Sequence, residues 1–191
     1  EGPFLAWWQR VLLSLDGDDH ARLRRLLMPA FKRQSILAMQ PRFVEIAEDL
    51  VAGFADRGEV ELIAEFAEPY SARILCLLLG LPEQEWEQVA HWADDLGRSF
   101  GIAVAQDLPL IEAALEGDDL VSTLVQAHAA DGRLTRDELV VGLVFLAFAG
   151  METTRNQIGL AVQTLLRHPD QWQLLAERPE LGAAAVEEVM R

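Results

Sequence analysis

Glu152, Thr153 and Thr154 stand inside the apolar stretch VFLAFAGMETTRNQI, which runs from Val144 to Ile158. An acid beside an alcohol in a dry setting can pass protons. Gly150, just ahead of them, lets another group come close to the backbone. A hydroxyl that competes for helix carbonyls can open a local groove. Phe145, Ala149 and Thr153 recur every four residues and therefore share one helical face. That face runs apolar, small, then hydroxyl, which suits a flat hydrophobic ligand with a polar atom at one end. A plainer reading fits the same letters. Gly150 would admit a neighbouring helix, the threonines would bond back to carbonyls one turn earlier, and Glu152 would sit at the surface beside Arg155.

A second set of residues carries charge. The chain has 191 residues and a formal net charge of -15, which disfavours non-specific nucleic-acid binding. Yet His20 to Arg42 holds six Lys or Arg residues and no Asp or Glu. Such a segment in an acidic chain suits a local anion or an acidic partner. His20 and Arg24 are four apart, on one helical face, and Arg matches carboxylates with its bidentate fork. Glu188 and Arg191 form an i,i+3 pair of the kind common on helix surfaces. Other chemistries fail on spacing. A di-iron bundle needs two Glu-x-x-His motifs, but Gly17, Gln88, Val125 and Leu165 precede the four histidines by three. No glycine-rich nucleotide loop is present. The single cysteine, Cys76, excludes an intrachain disulfide and reads as a buried structural thiol in an apolar helix.

The elements that must hold these residues are helical almost throughout. Asp16 to Asp19 offer caps for a helix to about Met28, and Pro41 is placed to open the next, to Ala55. A third runs from about Ala64 to Leu79 and stops at Gly80. Pro82-Glu83 restarts the chain as helix. Asp107 caps a short helix to Leu115, and Asp118 starts another that ends near Asp131-Gly132. Thr135-Arg-Asp-Glu138 reads as a capping box and opens the longest helix, 136–167. From Val140 to Ala149 that helix is apolar on nearly every side, which predicts a central, buried position. His168-Pro169-Asp170 ends it and starts the next, and a last helix covers Leu181 to Arg191. Only Glu59 to Ile63 alternates like a strand. The longest apolar run, Leu139 to Met151, spans thirteen residues, short of the roughly 20 that cross a bilayer. The expectation is one all-α domain over 1–191, a partial chain in the cytoplasm.

Ala149-Gly-Met-Glu-Thr-Thr154 resembles the (A/G)Gx(D/E)T(T/S) signature of the cytochrome P-450 family, the haem-thiolate monooxygenases, in their bacterial soluble type. Three further segments match in order. Asp16 to Arg25 is similar to the helix whose HxxxR residues bind a haem propionate. Ile74 to Pro82 is similar to the "GxP" helix end. His168-Pro-Asp-Gln171 with Glu188-Val-Met-Arg191 is similar to the two helices that follow the central one, the second bearing the ExxR pair. The resemblance covers nearly the whole chain.

Carried over by position, the resemblance implies haem b as cofactor, held by His20 and Arg24 and faced by Ala149, Gly150 and Thr153. It makes Glu152 the acid and Thr153 the alcohol that deliver protons above the haem, where the glycine region leaves room for dioxygen. Phe145, Phe148 and Ala149 would face an apolar small-molecule substrate, and Glu188 and Arg191 would be the structural ExxR pair. A ferredoxin or flavin reductase would donate electrons. The family's axial cysteine lies beyond the ExxR helix, so this chain holds no metal ligand, and these residues alone are expected to be inactive. Leu115-Glu-Gly-Asp-Asp-Leu120 departs from the family by shortening the second substrate-roof helix. Two non-enzymatic readings stand beside this one. The first is a helical remnant or binding module that does not hold haem productively. The second is an all-helical transcription regulator, disfavoured by the charge and by the lack of a clear helix-turn-helix.

Overall fold

The computed structural model describes residues 9–99 and 135–191. The helices expected over 107–115 and 118–132, and the shortened roof segment, lie outside the described residues. Seven α-helices follow in order: α1 (Gly17–Leu27), α2 (Arg33–Phe54), α3 (Glu68–Leu79), α4 (Trp86–Ser99), α5 (Arg136–Arg167), α6 (Pro169–Glu177) and α7 (Gly182–Val189). Among the described residues there is no strand, so Glu59 to Ile63 does not form one. The architecture is all-α.

α5 runs without a break for 32 residues, a rod of about 48 Å. Its start is the expected capping box, with Thr135 Oγ1 accepting from the Glu138 amide at 3.1 Å and Glu138 Oε2 accepting from the Thr135 amide at 2.8 Å. α3, α4 and α5 pack on one another around Ala72, Leu75, Cys76, Leu79, Val89, Ala93, Leu143 and Met151. α2 leans on α3, while α6 and α7 pack against α5 near its end. Burial on α5 is one-sided. Val141, Leu143, Val144 and Met151 are buried, while Gly150, Thr153, Thr154 and Leu160 are exposed.

Pro41 does not open α2. The helix begins eight residues earlier, at Arg33, and carries Pro41 in its interior. Ile36, Met39, Phe43 and Ile46 keep one apolar face across the proline, and Ile46 is fully buried. Pro41 itself is exposed, so water can take the carbonyl that its missing N–H leaves free. The segment expected to begin α3 instead forms a π-helical turn, Ile63–Ala67. Pro69, the second residue of α3, has no N–H to give to residue 65, and the wider turn lies where that bond is missing. α3 stops as expected at Gly80, whose φ of 68° is a left-handed cap that glycine adopts without strain. Asp16 precedes α1 but makes no side-chain cap bond.

Candidate functional site

The threonines of the AGMETT stretch bond back to their own helix. Thr153 Oγ1 donates to the Ala149 carbonyl at 2.6 Å, and Thr154 Oγ1 to that of Gly150 at 2.7 Å. The helix stays closed there, so no groove arises by unwinding. What remains is a surface stripe. At 100° per residue, Ala149 lies on the opposite side of α5 from Ala147, which packs on the core. Phe145 and Phe148 are half-buried beside it, and Thr153 is exposed. The order along the stripe is aromatic, small, hydroxyl, as the spacing requires.

Glu152 is not a free carboxylate. Its Oε1 accepts from Arg155 Nη2 at 2.6 Å, and Arg155 Nη1 donates to Glu68 Oε2, at the start of α3, at 2.9 Å. The Arg155 side chain is only 15% exposed. One arginine therefore holds the candidate acid and fastens α5 to α3. Gly150 does not line the stripe. Gly150 is exposed, and a Cβ there would lie 3.4 Å from Leu75 Cδ1, an ordinary contact towards α3.

On α1 Arg24 is exposed and His20 is half-buried. Neither has a side-chain partner among the described residues. Arg22 is different, because Nη2 donates to Glu138 Oε1 across 116 residues of sequence. The bond holds the Arg22 guanidinium above its ordinary range. For Glu138, partial burial works against ionisation, but Arg22 and Thr135 outweigh it and the carboxyl titrates below its usual value. Glu188 and Arg191 pair at 2.9 Å with side chains 73% and 78% exposed. A cavity of about 520 Å³ opens nearby, between α5, α6 and α7. Glu188 lines it; Glu152, Thr153, His20 and Arg24 do not.

Haem would require cations for its carboxylates, a flat apolar wall and an axial thiolate. The unpartnered Arg24 and His20 fit the first, and the open stripe fits the second. Cys76 does not fit the third. It is fully buried in the core, and burial, with Glu83 and Glu85 adding, pushes its thiol up to about 12.

Three residues carry weight without a sequence signal of function. Arg22 and Glu68 are too far from their partners in sequence for spacing to pair them. Gly159 shows only as a glycine in mid-helix. In the structure a Cβ on it would come within 2.8 Å of Ile63 Cδ1, so the π-helical turn can pack directly on α5.

No protein-family model matches the chain. It is 38% identical over 193 residues to the vitamin D(3) 25-hydroxylase of Pseudonocardia autotrophica, covering 95% of this chain and 48% of that protein. It is 34% identical to the luteothin monooxygenase of Streptomyces thioluteus, across 100% of this chain and 51% of the relative. Among solved structures it is similar to the cytochrome P450 hydroxylase from the leinamycin pathway of Streptomyces atroolivaceus. The TM-score is 0.85 and the identity 35%, over 94% of this chain and 50% of that one.

The chain belongs to the cytochrome P450 family. It spans about half the length of the curated P450 relatives it matches. Among the described residues no helix is long and apolar enough to cross a membrane.

Proposed function

We propose that this chain is a helical portion of a haem-dependent monooxygenase, which inserts one oxygen atom from dioxygen into an apolar organic substrate. The observation that carries the reading is the arrangement on α5. An open stripe of Phe145, Ala149 and Thr153 adjoins an acid, Glu152, that is already held in place by Arg155. The similarity to P450 hydroxylases and monooxygenases supports it. The electron donor would be a ferredoxin or flavin reductase, and the setting the cytoplasm.

Haem, when bound, supplies the activation of dioxygen. The residues of this chain bind, shield and move protons. Arg24 and His20 take the carboxylates through charge-assisted hydrogen bonds. Phe145, Phe148 and Ala149 exclude water and turn an apolar substrate towards the stripe. Thr153 Oγ1 gives its hydrogen to the Ala149 carbonyl and can accept another from the ligand side. Glu152, one residue away, can take up a proton from water when it swings off Arg155 and pass it to that hydroxyl. Cys76, buried with its thiol pushed up to about 12, would not serve as a thiolate ligand for the haem iron, so these residues alone would not turn over.

The test is made in the complete protein. Thr153→Ala should keep substrate binding and electron uptake but divert electrons from product to peroxide. Unchanged coupling would remove Thr153 from the mechanism. A complete protein without a thiolate-ligated haem spectrum would overturn the enzyme reading and leave the non-catalytic helical module.

A further inference from the structure

Along α1 only Leu23 is buried among the side chains described. Its backbone touches mainly the short 3₁₀ turns on either side, Leu12–Ser14 and Met28–Phe31. With one fully buried side chain, Leu23, and Leu26 half-buried among those described, a polar tie has room to influence how α1 is set about its axis. The Arg22 bond to Glu138 is the long-range polar tie shown for it. Arg22 lies two residues from both His20 and Arg24, about 200° around the helix from each. The tie therefore grips the back of α1 and leaves the His20–Arg24 face outward. Its other end does not move. Glu138 sits in the first turn of α5, with Oε2 fixed by the Thr135 amide at 2.8 Å and by Thr135 Oγ1 at 3.1 Å. Its side chain is 22% exposed and that of Arg22 37%.

We propose that Arg22 and Glu138 form a positioning pair that sets the roll of α1, so that His20 and Arg24 meet the carboxylates of the bound haem together. The proposal rests on the reading of His20 and Arg24 as the propionate-binding face. Arg22 itself touches no haem; it acts through its neighbours. The capping box on Glu138 gives the pair a fixed reference, because the same carboxylate defines the start of the long helix.

The test uses the complete haem-loaded protein and follows haem transfer to excess apomyoglobin by the Soret change, with thermal melting of each apoprotein beside it. Glu138→Gln is informative because Gln still serves a capping box while the charge facing Arg22 is gone. Arg22→Gln and Glu138→Gln should each speed haem loss by a similar factor, roughly three- to tenfold, as expected for one charge-assisted hydrogen bond. Arg22→Lys should restore most of the retention. Arg22→Gln added to Arg24→Ala should speed haem loss by much less than the product of the two single factors, since the pair acts through Arg24 and His20. Fast loss from Arg24→Ala with wild-type loss from Arg22→Gln would overturn the positioning role and leave the propionate reading standing. Wild-type loss from Arg24→Ala would overturn the propionate reading, and this pair's role with it. Factors that multiply in the double variant would show Arg22 acting through general stability, which also overturns the proposal.

Discussion

Two groups of arginines in this molecule live under opposite conditions. Where α2, α3 and the turn before α4 meet, every guanidinium is engaged. Arg42 donates to Glu45 at 2.7 Å and to Glu83 at 2.5 Å, and Arg73 donates through Nε to Glu83 at 2.7 Å, with Asp49 at 3.4 Å. Along α1 and the start of α2, Arg24, Arg25, Lys32 and Arg33 have no side-chain partner among the described residues. α5 shows a milder division in apolar terms, with Met151 fully buried against the core, Phe145 and Ala149 half-buried and Thr153 exposed. Matched groups are already used in holding helices together. The unpaired cations and the partly exposed stripe are the groups that the proposed haem reading would use.

The largest expected difference between the two regions is in the core. Met151→Ala should lower stability by about 2–5 kcal/mol, as truncation at a fully packed site does. Thr153→Ala, two residues away on the open stripe, should stay within about 0.5 kcal/mol. Chemical denaturation of both variants checks this. A Thr153→Ala loss near that of Met151→Ala would mean the stripe is part of the fold rather than a surface kept for a ligand.

Glu83 sharpens the comparison next. Hydrogen bonds from Arg42, then from Arg73, hold its carboxyl below the ordinary value of 4.5 despite partial burial. A depressed carboxyl stabilises the fold when ionised. That contribution is complete above 4.5 and is lost as pH falls through the lower folded value. Glu83→Gln should therefore destabilise at pH 7, by about 1–3 kcal/mol for a charge-bonded group of this kind. The gap between variant and wild type should close as pH falls below 4.5. A gap that persists at low pH would mean Glu83 acts by packing and not by charge. Arg24→Gln, by contrast, should change the melting temperature little at any pH between 5 and 8.

Much of this was legible in sequence, and the reasons are local. The capping box at Thr135, the stop at Gly80 and the restart at Pro169 each follow from one residue's backbone chemistry, and each appears in place. The order of the motifs was enough to point to the family. Pro41 misled because proline at a helix start is a local preference, and it lost to an apolar face running from Ile36 to Ile46. In the AGMETT stretch the plainer reading was legible in sequence: both threonines bond back one turn and Glu152 pairs with Arg155, while the onward link from Arg155 to Glu68 needed three dimensions. Nothing in the spacing of Arg22 and Glu138, or of Arg155 and Glu68, announces a pair, because only the packing of distant helices brings them together.

Two of the three glycines of α5 make a smaller test. Gly142 has open space where a Cβ would go, so Gly142→Ala should stabilise the chain by about 0.5–1 kcal/mol through helix propensity. Gly159→Ala should gain less, because the new methyl meets Ile63 Cδ1 at 2.8 Å and the end of that half-buried side chain must turn aside. Equal gains at both positions would mean that the π-helical turn does not sit tightly on α5.

The smallest effect is expected at Glu188 and Arg191, and its size is the point. The pair is 73% and 78% exposed, and exposed pairs contribute about 0–1 kcal/mol. Glu188→Gln in this chain alone should therefore change unfolding by less than about 0.5 kcal/mol, since water replaces most of what the pair supplies. Its resemblance to the ExxR pair implies a second circumstance, in the complete protein, where further chain covers the pair and a third group engages it. Removing one partner of a covered ion pair leaves the other buried and unanswered, which costs about 3–5 kcal/mol. The same substitution should then be nearly silent in one setting and severe in the other. An equally small effect in both would place Glu188 and Arg191 with the ordinary surface pairs such as Arg178 and Glu180. A large effect only in the complete protein would show that an exposed charge on this chain is one whose partner lies elsewhere, which is the argument made for Arg24.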